Sequence, residues 1–361
     1  MYERKRIPGL DLARFLAALG ILAYHFCFIG VIEGFYAWDV FMPIAFWGEL
    51  GVDIFFIISG FVILFSIENK RTASQFLSGR IIRVYPAFII CSVLTMMMGM
   101  LMPATEKKDL LYRWMASLSL CNENFLGGGY SLLSSVYWTL MVEIKFYILV
   151  AIIKKAGIWV RWRYQILFLW VSLSLINTLG FQWRWLDVWL NCKYSGHFTA
   201  GIIMYLFYCK GEKNKWMLPL ISESVWLIFR NCKGYLEWIK EIYSPISYSE
   251  TDILFAIIIL LLLLNLTIHI TIQNQKLNVR LSCLGAWSYT IYLIHADFGY
   301  FIRTQYYNRL IVWMPWLSKI VNEYVIMLAA TVFSLLLSYI ILLITQKIES
   351  VLKMRLLKIK F

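Results

Sequence analysis

Apolar runs of about 20 residues, the length that crosses a bilayer as a helix, alternate with short polar segments along the whole chain. Ten are read, at 10–31, 45–67, 81–102, 134–153, 164–180, 195–208, 216–230, 252–270, 281–302 and 324–346. The seventh is the weakest, being short and carrying Glu223. Parity decides it: nine spans would turn the basic tail from Lys347 to Lys360 outward, whereas ten keep every basic cluster on one side. Cytoplasmic loops collect Lys and Arg, so ten spans with both termini cytoplasmic are expected. The expected fold class is all-α, a polytopic transmembrane helix bundle. Residues 1–361 are expected to form a single integral-membrane domain, with no internal repeat and no room for a second one.

Composition strengthens this reading. Hydrophobic residues make up 61% of the 361-residue chain and charged residues only 15%, against roughly 45–50% and 25% in soluble domains. The net charge of +13 raises nucleic acid as a partner, but its distribution removes that partner. The cations sit at span ends: Arg4, Lys5 and Arg6; Lys70, Arg71, Arg80 and Arg83; Lys154, Lys155, Arg161 and Arg163; Lys210, Lys213 and Lys215; Lys276 and Arg280; Lys353, Arg355, Lys358 and Lys360. The 7 cysteines show no metal or redox spacing; Cys121 and Cys192 alone fall in outer segments. No cleavable leader is expected, because Arg4, Lys5 and Arg6 run into a full-length span without a small-residue cleavage site. Trp38, Trp47, Trp183, Trp185, Trp189, Trp313 and Trp316 lie at span boundaries and read as interface anchors.

Ionisable groups inside the spans are costly and mark function by default. Span one carries Asp11, Arg14 and His25. Eleven residues at 100° bring a helix almost back into phase, so Arg14 and His25 share one face about 16 Å apart. Counting from the span ends places Asp53 of span two, Glu143 of span four, below Trp138, and His295 of span nine at the depth of His25, in the outer half of the bilayer. The pattern suggests one buried polar site. His25 is the favoured proton acceptor because its imidazole titrates near neutrality. Asp53 can equally serve a structural pair, and a buried histidine such as His295 can be satisfied by a backbone carbonyl. His197 and His269 are read as structural. Arg80 and Arg83, three apart where span three leaves the cytoplasm, suit phosphates by paired, charge-assisted bonds; ordinary cytoplasmic charge bias accounts for them as well.

The chain resembles integral-membrane acyltransferase family 3, whose members O-acylate lipopolysaccharide, exopolysaccharide, peptidoglycan and related acceptors. The resemblance runs in order through "IPGLDLARFLAALGILAYHF", "GVDIFFIISGFVI", "GRIIRVYPAF", "SVYWTLMVEIKFYIL" and "LGAWSYTIYLIH". It implies an acyl-CoA donor, usually acetyl-CoA, used from the cytoplasm of a bacterial inner membrane, and no metal. It implies an acceptor, a cell-surface or lipid-linked glycan, at the outer half of the bilayer. Arg14 and His25 match the essential pair of span one; Arg80 and Arg83 match the pair on the CoA side. Trp138 and Glu143 match the span-four motif, and the final motif contains His295, expected on the acceptor side. Two motifs depart from the pattern, at three positions. Leu12 stands where a Gly is usual, and Ile144 and Lys145 replace a second Glu and a Gln, which puts a second carboxylate's role in doubt. The extracytoplasmic domain fused in some relatives is not expected.

In the mechanism this implies, His25 acts as base on the acceptor hydroxyl or carries the acyl group itself. Glu143 or Asp53 would fix its tautomer. A transporter or channel is the competing class, disfavoured by the lack of an inverted repeat or paired broken spans. A catalytically inactive membrane sensor of the same descent is the third, disfavoured by retention of the charged motif residues.

Overall fold

The computed structural model describes residues 7–68, 72–102, 106–119, 131–270, 272, 274–319 and 321–358. Arg4, Lys5, Arg6, Lys70, Arg71, Cys121 and Lys360 lie outside them. Among the described residues every regular element is helical and none is a strand. Seven helices among the described residues are long and apolar enough to cross a membrane: Pro8–Ile32, Pro43–Ser66, Ala73–Met100, Ser135–Lys155, Trp159–Phe181, Glu250–Ile268 and Glu323–Arg355. The chain is thus an all-α, multi-pass membrane protein. The sixth, seventh and ninth expected spans are also helices, Ser195–Lys210, Met217–Ile242 and Gln275–Phe301.

The seventh runs well past its expected end. It does not stop near residue 230 but continues to Ile242, giving 26 residues, about 39 Å at 1.5 Å per residue. The reason is its pattern. Met217, Leu220, Ser224, Leu227, Ile228, Cys232, Leu236 and Ile239 are buried, a three-to-four spacing that carries one apolar face through the charged second half. Ser249 caps the following helix with a reciprocal bond to Asp252, fixing where the chain turns back.

The chain divides into two compact units. The first comprises residues 1–14, 52–80 and 139–281, and the second residues 15–51, 81–138 and 282–361. In the first unit, helix α1 (Leu50–Glu68) and helix α2 (Ser195–Lys210) cross at backbone contact. A Cβ at Gly201 would stand 1.8 Å from the Ile57 carbonyl oxygen, and one at Gly60 would stand 2.2 Å from that of Phe198. Lipid-embedded helices approach this closely through small residues. The Phe198 ring is fully buried and stacks on Phe146, centroids 3.9 Å apart.

In the second unit the first span opens into a π-turn at His25–Ile29, so that the Gly30 N–H reaches back to the His25 carbonyl. Helix α3 (Gln275–Phe301) packs there. A Cβ at Gly30 would lie 2.8 Å from the Tyr300 ring, so Gly is what lets Tyr300 come in. Of the boundary tryptophans, Trp183, Trp185, Trp189, Trp313 and Trp316 are all exposed.

Candidate active site

In the second unit, His25 and His295 meet. Their rings stand edge to face with centroids 4.9 Å apart. The His295 Nδ1 lies 2.9 Å from the Tyr292 carbonyl and 3.1 Å from that of Ile291. Carbonyls only accept, so Nδ1 carries the proton. Nε2 of His295 is buried and has no hydrogen-bond partner among the described residues. That is more than a backbone-satisfied packing histidine requires, because a buried lone pair without a partner is costly.

His25 is held differently. Its Nδ1 lies 3.0 Å from the Tyr300 hydroxyl, which itself donates to the His25 carbonyl at 3.2 Å. A phenol has one proton. With that proton on the carbonyl, Tyr300 accepts from Nδ1–H, and the lone pair of His25 is on Nε2. The His25 carbonyl thus accepts twice, from the Gly30 N–H of the π-turn and from Tyr300, and such turns recur at functional sites. Phe35 stacks on the Tyr300 ring at 4.1 Å and 7° and fixes its plane. Replacing Tyr300 with Phe should therefore lower turnover about tenfold, the scale of one lost hydrogen bond, with the donor KM unchanged. A steady-state comparison with wild type checks this.

Two residues beyond His295, Asp297 places its carboxyl beside the hydroxyls of Ser134 and Thr95, with Arg113 as a nearby cation. Its Oδ2 is buried without a partner among the described residues. Neither Asp297 nor Tyr300 is among the residues expected from the sequence. Their signal was polar side chains at buried helical positions adjoining a motif histidine.

In the first unit, the imidazole that Asp53 holds is that of His197. Oδ1 of Asp53 is 2.5 Å from His197 Nε2, and both side chains are buried. Cys232 Sγ approaches the other Asp53 oxygen at 3.9 Å. Asp53 lies seven residues before Gly60, and His197 four before Gly201, so the glycine crossing sets the pair's geometry. Glu143 is half-buried and accepts from Ser59 Oγ at 2.8 Å and from the Tyr147 hydroxyl one turn on.

The Tyr147 ring also lies against Arg80, whose guanidinium carbon is 5.3 Å from its centroid and 5.7 Å from that of Phe76. Arg80 Nη2 donates to Ser66 Oγ at 2.5 Å and to the Val62 carbonyl at 3.4 Å. Arg80 is therefore buried and engaged within the fold, 8% exposed, whereas Arg83, three residues on, is exposed. Arg14 and Trp138 are half-buried. His269 is exposed and edge-on to Tyr208. Cys192 is buried. Among the described residues no group of His, Cys, Asp and Glu is placed to hold a metal ion.

The sequence matches the family described as "Acyltransferase domain" over residues 7–343. The chain belongs to acyltransferase family 3. Among its relatives, the O-acetyltransferase OatA of Staphylococcus aureus (strain NCTC 8325 / PS 47) is 38% identical over 103 residues, covering 26% of this chain and 15% of that protein. The chain thus matches only about a seventh of the length of the OatA proteins. The acyltransferase MdmB of Streptomyces mycarofaciens is 23% identical over 337 residues, 84% of this chain and 81% of the relative. No solved structure matches.

Proposed function

We propose that the protein moves an acyl group from a cytoplasmic acyl-CoA, acetyl-CoA in the simplest case, to a hydroxyl of a cell-surface or lipid-linked glycan. The proposed setting is a bacterial plasma membrane crossed ten times, with both termini cytoplasmic. The observation that carries this reading is His25, held at Nδ1 by Tyr300 so that Nε2 is the nitrogen left for a substrate proton. It is backed by family membership over residues 7–343.

In the reaction, the acceptor oxygen attacks the thioester carbonyl carbon as its proton passes to His25 Nε2. The C–S bond breaks, an ester forms, and the proton leaves with the CoA thiolate. An acyl-histidine route would use the same nitrogen as nucleophile. Arg83 is the first choice for the donor's phosphates, since its guanidinium is exposed and suits paired bonds to phosphate. Arg14 is the second. Arg80 is assigned a supporting share, being already bound to Ser66 and the Val62 carbonyl. Glu143, Trp138 and His295 are assigned to acceptor contact, and Asp53 to structure through His197.

Acetyl-CoA should stabilise the purified chain. At a hundred times Kd the linkage is about 2.7 kcal/mol, on the order of 5 °C in the thermal midpoint. A scan with and without acetyl-CoA checks this, and an unchanged midpoint at millimolar donor would speak against the reading.

A further inference from the structure

The second unit has an open cavity of about 370 Å³, lined by Leu101, Phe301, Gln305, Arg309, Leu310 and Trp313. That volume is in the range of small-molecule sites. Its wall combines two chemistries. Leu101, Phe301, Leu310 and Trp313 are apolar, and Leu101, Leu310 and Trp313 remain exposed, Trp313 at 85%. Arg309 is exposed and makes no hydrogen bond or ion pair among the described residues, in contrast to nearby Arg303, which is bound to Glu323 and Asn308. An exposed guanidinium beside bare aromatic and aliphatic surface matches the boundary between an anionic headgroup and an alkyl chain. Gln305 adds an uncharged amide that can bond a hydroxyl.

The cavity's position connects it to the chemistry. Phe301, in its wall, directly follows Tyr300, whose hydroxyl binds His25. We propose that this cavity seats the phosphate and first part of the chain of a lipid-linked glycan, with Arg309 on the phosphate, so that the attached sugar is presented toward His25. This rests on the acyl-transfer reading for the sugar's fate, but not for the binding itself. A free phosphate has no use for the apolar wall, and a neutral glycan has none for Arg309.

The test uses the full chain in phosphatidylcholine nanodiscs with radiolabelled farnesyl phosphate as probe. Farnesol and inorganic phosphate serve as competitors. Wild type should bind the probe saturably, and Arg309→Gln should weaken binding about tenfold or more, the scale of a charged hydrogen bond. Trp313→Ala should weaken it less, and inorganic phosphate should not displace it. Both side chains are exposed, so the thermal midpoint should not move. Wild-type affinity in Arg309→Gln, displacement by inorganic phosphate at the probe's own concentration, or no binding above empty nanodiscs each overturns the proposal. His25→Ala should bind the probe as wild type does. If acyl transfer fails in the wild type while Arg309-dependent binding persists, the transfer reading falls and the site stands.

Discussion

Replacing His25 with Ala should lower acyl transfer by about 10²–10⁴-fold, the usual share of a positioned acid–base group. The effect should fall on kcat, because Tyr300 loses only a partner for its oxygen and the π-turn is set by backbone bonds through Gly30. Stability should therefore change little. His25→Gln is the informative companion. An amide can keep a bond to Tyr300 but has no basic nitrogen, so it should be as inactive as Ala while retaining the wild-type thermal midpoint. Activity restored by Gln would mean that His25 serves only to hold Tyr300.

The second large effect is on stability. Asp53 and His197 are buried in one unit, 2.5 Å apart, at a helix crossing that two glycines bring to backbone contact. Removing one partner of such a pair strands the other, at a cost of about 3–5 kcal/mol. Asp53→Ala should thus unfold well below wild type in detergent. Replacing both with Leu should cost less than either single truncation, since neither polar group is then left unpaired. A thermal double-mutant cycle measures the coupling. Single variants within 0.5 kcal/mol of wild type would show that Asp53 has no structural role and return it to the list of residues that act on substrate.

The fold was largely legible because lipid imposes a simple rule. With every backbone group satisfied internally, an apolar run of sufficient length is a helix, and all ten runs are helical. The extent of Met217–Ile242 was not legible from hydropathy, since its second half reads as polar unless the face spacing of Cys232, Leu236 and Ile239 is followed. The site was legible in its imidazoles but not in their partners. His25, Asp53, Glu143 and His295 declare themselves as ionisable groups within apolar runs. Tyr300 and Tyr147 do not, because tyrosine is common in spans and at interfaces. Helix crossings decide which groups meet, and those depend on Gly30, Gly60 and Gly201, whose importance is spatial. Asp53 accordingly found His197, a residue taken as structural, and Arg80, expected to face phosphate, is turned into the fold against Ser66 and Tyr147.

Acyl transfer from acyl-CoA through His25 can be measured in one experiment. Its most direct test is transfer of label from [¹⁴C]acetyl-CoA into membrane glycolipid by the purified chain in vesicles of bacterial lipid, with His25→Ala alongside. Wild type should label glycolipid and release a matching amount of CoA thiol, and the folded variant should do neither. Equal labelling by the two proteins, or no label and no thiol release from a wild type that is folded, would contradict acyl transfer through His25.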